Sequence, residues 1–190
     1  MSEFIKQMKP HFEKATEPII LFFDKLNLSP NVLTISGLIF TAIGSYFMLQ
    51  KQFILAGFII GIGALFDALD GHLARTSGKT SKFGAFFDSV IDRISDALPL
   101  IAIAIIFKED TIFLAITIFT IIFSFLVSYT RARAEGLGIE CKVGIFERPE
   151  RLIILIISLI LNQVEIGILI LLIGSFITFL QRFFYVYKFK

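Results

Sequence analysis

Apolar and polar residues fall in blocks along this chain. Mainly apolar runs at about 31–49, 53–75, 83–107, 111–135, 148–161 and 166–185 are separated by short polar segments. Most of them approach the ~20 residues that carry an α-helix across the hydrocarbon core of a bilayer. The pattern predicts an all-α integral membrane protein with six transmembrane helices. The first span opens at Ser29-Pro30-Asn31, a Ser cap with Pro at the first helical position. Gln50-Lys51-Gln52 and Lys108-Glu109-Asp110 read as tight turns, 76–82 and 136–147 as longer polar connections, and 162–165 as a turn. In the second span Gly57, Gly61 and Ala64 have the small-residue spacing that permits close helix contact. Residues 1–28 are different. There Phe4, Ile5, Met8, Phe12, Ile19, Ile20, Phe22 and Phe23 are mixed with Lys6, Lys9, Lys14 and Lys25. This predicts an N-terminal amphipathic juxtamembrane segment, one or two helices on the membrane surface interrupted near Pro10 or Pro18. The expected division is therefore 1–28, juxtamembrane, and 29–190, a six-helix membrane domain.

Composition agrees with the pattern: 56% of the 190 residues are hydrophobic and 23 are Phe, with a mean hydropathy of +0.83. No separate soluble domain is expected. A single cysteine, Cys141, excludes an internal disulfide and a Cys-rich metal site. The first 30 residues carry charges throughout and lack a compact apolar core, so no cleavable signal peptide is expected there. The net charge of +2 matters only once it is located. With the N-terminus inside, every one of the 18 lysines and arginines except Lys51, Lys108 and Arg93 falls on the inner side. This bias predicts a multi-pass protein of the cell membrane with both termini cytoplasmic.

Charge within the apolar blocks is costly and calls for a partner or a purpose. It is concentrated in one stretch, where Asp67, Asp70, Gly71 and Ala74 share a face of the second span, and Gly84, Asp88 and Asp92 a face of the third. The connection between them is short, so the two helices are expected to be antiparallel neighbours with four carboxylates facing one another. A divalent cation resolves their repulsion. All-oxygen ligands favour Mg²⁺ or Mn²⁺, and four carboxylates can hold two ions about 3.5–4 Å apart, as in phosphoryl displacement. Gly71 and Gly84 would let a bulky ligand approach the helix backbone, and Arg75 can fork onto phosphate oxygens. Together these residues describe a diphosphate site. A cation pathway in a transporter, or structural carboxylate–arginine pairs, would draw on the same residues. His72 is expected to be a bystander, and Asp96 to pair with Arg93 or a polar neighbour. A second cluster, Arg131, Arg148 and Arg151, stands at the same membrane edge and implies a second bound anion; Glu135, Glu147 and Glu150 beside it leave structural salt bridges as the competing account.

The pattern Asp67-x2-Asp70-Gly71-x2-Ala74-Arg75-x8-Gly84-x3-Asp88-x3-Asp92 resembles the signature of the CDP-alcohol phosphotransferase family at every position. The Ser29-Pro30-Asn31-Val32-Leu33-Thr34 entry to the first span is similar to the family's as well. The resemblance implies six spans and a homodimer, with the motif facing the cytoplasm and an alcohol attacking the lipid-linked phosphorus of a CDP-lipid while CMP leaves. It implies that Asp67, Asp70, Asp88 and Asp92 are metal ligands and that Asp92 is also the general base. It gives Gly71, Arg75 and Gly84 contact with the nucleotide diphosphate, with Thr76 and Ser81 as neighbours. The segments 131–137 and 147–153, with Asp92-Arg93-Ile94-Ser95-Asp96, look like the inositol-phosphate branch, the phosphatidylinositol- and archaetidylinositol-phosphate synthases. That implies an acceptor phosphate bound by Ser128, Arg131, Arg148, Arg151 and Arg182. Arg131 departs from the bacterial members, which commonly have Lys there. The expected partners are a CDP-lipid (CDP-archaeol or CDP-diacylglycerol), inositol phosphate and membrane lipids, with no nucleic acid. Synthesis of the phosphatidylglycerophosphate type, with glycerol phosphate as acceptor, is the alternative within the family; a serine acceptor ranks third, and a divalent-cation transporter is the distant alternative.

Overall fold

The computed structural model describes the backbone of residues 3–189 and the side chains of residues 10–189. The described residues form seven α-helices: α1 (Glu3–Lys25), α2 (Pro30–Leu49), α3 (Phe53–Thr76), α4 (Lys82–Ile106), α5 (Thr111–Glu135), α6 (Arg148–Ile160) and α7 (Val164–Tyr187). The six hydrophobic blocks correspond to α2–α7. Their ends are set by local chemistry. Asp110 accepts from the Phe113 amide at 3.0 Å and Ser81 from the Gly84 amide at 2.9 Å, each satisfying an orphan donor of a first turn. Ser29 occupies the N-cap of α2 but makes no side-chain cap bond, so there the entry rests on Pro30 at the first helical position.

Four helices, α2, α3, α5 and α7, are long and apolar enough to cross a membrane. The expectation of six is met short by α4 and α6. The first half of α4 carries Asp88, Asp92, Arg93 and Asp96, and α6 has 13 residues, about 20 Å at 1.5 Å per residue against a core of about 30 Å. Large apolar side chains such as Ile39, Phe58, Phe119 and Ile173 are more than half exposed around the bundle, as befits a protein whose solvent is lipid.

α2 packs against α3 and α4, α3 also against α6, α5 against α4 and α7, and α6 against α7. Away from the acidic stretch the bundle closes on Met48, Ile60, Ile103, Leu155, Leu159 and Ile168. The α2–α3 crossing is close because two glycines meet there. A Cβ on Gly63 would stand 2.8 Å from the Gly37 carbonyl oxygen, and one on Gly37 3.0 Å from that of Gly63, approaches that side chains do not tolerate. Of the expected small-residue stripe, Gly57 does lie tight against Ile156, Leu159 and Ile160 of α6, whereas Gly61 has room to spare.

α1 differs from expectation in being one continuous helix through Pro10 and Pro18. Each proline costs a backbone bond and favours a break. The opposing force is docking: Ile20 is fully buried with Leu33, Leu69 and Leu73, and Phe12, Phe23, Leu28 and Phe66 close around them. The expected roles of Phe4, Ile5, Lys6, Met8 and Lys9 fall on side chains outside the described residues.

Candidate functional site

The close crossing at Gly37 and Gly63 fixes what lies one turn further along. Thr34 of α2 reaches α3 and donates its hydroxyl to Asp70 Oδ2 at 2.5 Å. The 3–4 spacing brings Asp67 and Asp70 to one side of α3, opposite Asp88 of α4. One carboxylate oxygen from each of Asp67, Asp70 and Asp88 lies within 4.8 Å of the others. Three hard-oxygen ligands that close together on two rigid helices fit a divalent cation of the Mg²⁺ or Mn²⁺ type. Thr34→Val removes the hydroxyl that orients Asp70 at little change of size. It is expected to weaken Mn²⁺ binding to the purified protein about 10-fold, with recovery in Thr34→Ser; an unchanged Kd would show that Asp70 is held by other means.

Asp92 stands outside that trio. Its Oδ2 is 3.4 Å from Arg93, and its Oδ1 is 2.9 Å from Arg148 Nη1. That second contact is an ion pair by distance but lacks hydrogen-bond alignment, so Oδ1 is buried with its acceptor capacity unused. Arg148, from the first turn of α6, is the hub of the site. It grips Asp67 with both arms, at 2.6 and 3.2 Å, and its Nε donates to Asp96 at 3.0 Å. The other oxygen of Asp96 accepts from Arg151 at 2.9 Å. Of the two expected partners of Asp96, Arg93 or a polar neighbour, the structure shows the second: Asp96 pairs with the two arginines of α6, which enters the bundle on that side.

Two cavities share the α4 wall. The smaller, about 210 Å³, is lined by Gly71, Arg75, Ser81 and Gly84 together with Asp70 and Asp88. Thr76, the last residue of α3, is not part of its wall; Asn31, Thr34, Lys79 and Thr80 are. The larger, about 450 Å³, has Ser89 and Asp92 on one side and Ser128, Arg131, Arg148, Arg151 and Arg182 on the others. The arginines are not loose cations. Arg131 pairs with Glu135 at 2.8 Å. Arg182, almost fully buried, bonds Glu147 at 3.1 Å and the Val143 carbonyl at 2.9 Å, and also donates to the Val127 carbonyl. It thereby fixes the 136–147 segment against α5 and α7. His72 is buried with Nδ1 3.1 Å from the Thr16 hydroxyl, a structural contact to α1.

Sequence reasoning missed Asp96 as the anchor of the α6 arginines, Glu147 as the partner of Arg182, and Thr34 as the partner of Asp70. Glu147 carried a signal as one of the acids beside the arginine cluster, and Thr34 another, since it closes the Ser29–Thr34 stretch already noted at the start of the first span.

Comparison with known proteins adds three findings. A family model for CDP-alcohol phosphatidyltransferase matches residues 27–180. The chain is 46% identical over 182 residues to the archaetidylinositol phosphate synthase of Pyrococcus horikoshii, covering 94% of each protein. It is similar in structure to Mycobacterium tuberculosis phosphatidylinositol phosphate synthase. With the crystal structure holding CDP-DAG the TM-score is 0.82 at 30% identity, over 92% of this chain and 94% of that one. With the complex of manganese and citrate it is 0.83 at 30% identity, over 90% and 88%.

Proposed function

The chain belongs to the CDP-alcohol phosphatidyltransferase family, and from that premise we propose that it transfers the lipid-phosphate group of a CDP-lipid to a hydroxyl of inositol phosphate, releasing CMP. The observation that carries the reading is the pair of cavities on successive turns of α4. One has a glycine floor and Arg75, the other a ring of arginines, and Asp88 and Asp92 stand between them. The relatives named above are synthases of archaetidylinositol phosphate and phosphatidylinositol phosphate, and one was crystallised with CDP-DAG, which supports carrying a CDP-lipid and an inositol phosphate to this chain.

In this reading the diphosphate lies in the smaller cavity, over Gly71 and Gly84. Arg75 donates to its oxygens, and the N-terminus of α4, capped by Ser81, turns its free amides toward them. Thr76 lies beside this cavity as a neighbour. Asp67, Asp70 and Asp88, with Asp92 as a further ligand, would hold Mg²⁺ or Mn²⁺, one ion or two. A cation so bound neutralises the diphosphate and stabilises negative charge on the departing CMP oxygen. The acceptor phosphate sits among Ser128, Arg131, Arg148, Arg151 and Arg182, which leaves the attacking hydroxyl beside Asp92. As its oxygen bonds to the lipid-linked phosphorus and the anhydride P–O bond to CMP breaks, the hydroxyl proton passes to Asp92.

The same reading includes six spans, 1–28 as an amphipathic juxtamembrane segment, 29–190 as the membrane domain, cytoplasmic termini and site, and a homodimer. The wholly apolar second half of α4, residues 97–106, supports counting it as a span. Exposed Ile19, Phe22 and Leu26 support an α1 that rests on lipid.

The test is CMP release by purified protein in detergent with a CDP-lipid and Mg²⁺ or Mn²⁺, offering inositol phosphate, glycerol phosphate, serine and free inositol separately. Release is expected with inositol phosphate and at least 10-fold less with each of the others, since an acceptor without matching anion and ring leaves buried polar groups unpaired. Preference for glycerol phosphate would replace the acceptor; no release with any acceptor would overturn the reading.

A further inference from the structure

Glu13, Thr16, Ile20 and Asp24 follow one another at three- and four-residue steps, so they form a single stripe on α1. That stripe faces the end of α3. Ile20 sits in the apolar cluster with Leu69 and Leu73, and Thr16 meets His72 at 3.1 Å. The two acids flank these contacts and reach two cations that wall the smaller cavity: Glu13 meets Arg75 at 2.7 Å, and Asp24 meets Lys79 at 3.4 Å. Arg75 makes the contact with Glu13 through Nη2. Its Nη1 lies over the Gly71 backbone, where a Cβ on Gly71 would stand 3.2 Å away.

We infer that Glu13 is a positioning residue for the donor substrate: its carboxylate holds one arm of Arg75 so that the other faces the diphosphate over Gly71. Half of the Arg75 side chain is exposed, and an unrestrained arginine there has several rotamers to lose when it binds phosphate. Glu13 removes that freedom before the substrate arrives. The inference rests on the smaller cavity being the CDP site.

The experiment compares wild type, Glu13→Gln and Thr16→Val in steady-state CMP release, varying the CDP-lipid and inositol phosphate in turn. Thr16→Val loosens the same helix without touching Arg75. Glu13→Gln is expected to raise KM for the CDP-lipid about 5-fold, a modest factor suited to a partly exposed ion pair. It should leave kcat and KM for inositol phosphate within 2-fold, and Thr16→Val should match wild type. Four results would overturn the assignment. An unchanged KM means that Arg75 needs no support. A lower KM means that Glu13 competes with the diphosphate. Loss of kcat, or the same change in Thr16→Val, means that docking of α1 matters and its carboxylate does not. A wild type that releases no CMP overturns the CDP-site reading itself, and the inference with it.

Discussion

Asp92→Asn is expected to lower kcat for CMP release by about 10³-fold, within the range that a positioned general base supplies. The side chain is suited to that role by what surrounds it. It lines the larger cavity, it lies outside the carboxylate trio of Asp67, Asp70 and Asp88, and its Oδ1 is buried without an aligned donor. That oxygen faces the Arg148 guanidinium at 2.9 Å without an aligned hydrogen bond, so it can still accept the proton of an incoming hydroxyl. Asparagine keeps the size but gives up the charge that faces Arg93 and Arg148, and it cannot take the proton. Mn²⁺ affinity measured on the same variant separates two roles: a fall in kcat with Mn²⁺ still bound marks the base, and a parallel fall in both marks a ligand. A loss of less than 10-fold would remove Asp92 from the proton transfer.

Arg148→Ala is expected to lower the Tm of metal-free protein in detergent by on the order of 10 °C. The guanidinium touches Asp67, Asp92 and Asp96 at 2.6, 2.9 and 3.0 Å. Removing one partner from a buried ion pair costs about 3–5 kcal/mol, and for a chain of this size each kcal/mol moves Tm by roughly 2–4 °C. The loss should be smaller with Mn²⁺ present, because a cation held by Asp67, Asp70 and Asp88 offsets part of the same negative charge. Activity should fall as well, since Arg148 borders the larger cavity, the proposed acceptor site. Equal losses of Tm with and without Mn²⁺ would show that arginine and metal do not compensate the same charge.

These two residues also show what was legible in the sequence. Asp92 and the rest of the acidic motif could be assigned to helix faces because the 3–4 spacing alone decides which side chains share a face. The hydrophobic blocks gave helix limits within a few residues of those observed, since Pro30, Ser81 and Asp110 mark starts by local chemistry. Arg148 was legible as a cation near the site. Its partners were not, for choosing among Asp67, Asp92, Asp96 and Glu147 requires knowing the side from which α6 enters. For Asp96 the sequence left Arg93 or a polar neighbour open, and the tertiary contact with α6 decides for the latter. Continuity of α1 through two prolines was hidden for the same reason: propensity argues for a break, and burial of Ile20 against α2 and α3 decides the matter. The number of spans was read from block length, and charge in α4 and shortness in α6 leave four helices that meet the requirement by themselves.

The division of the walls between the two cavities bears on how such a protein can change over generations. Every residue of the smaller one comes from α2, α3, α4 or the segment joining the last two, whereas α5, α6 and α7 contribute only to the larger. In the proposed reading, mutations in the second half of the chain that spare Arg148, which grips Asp67, can thus try out new acceptors while handling of the nucleotide stays intact. A lineage can diversify its headgroups without first surviving the loss of its chemistry.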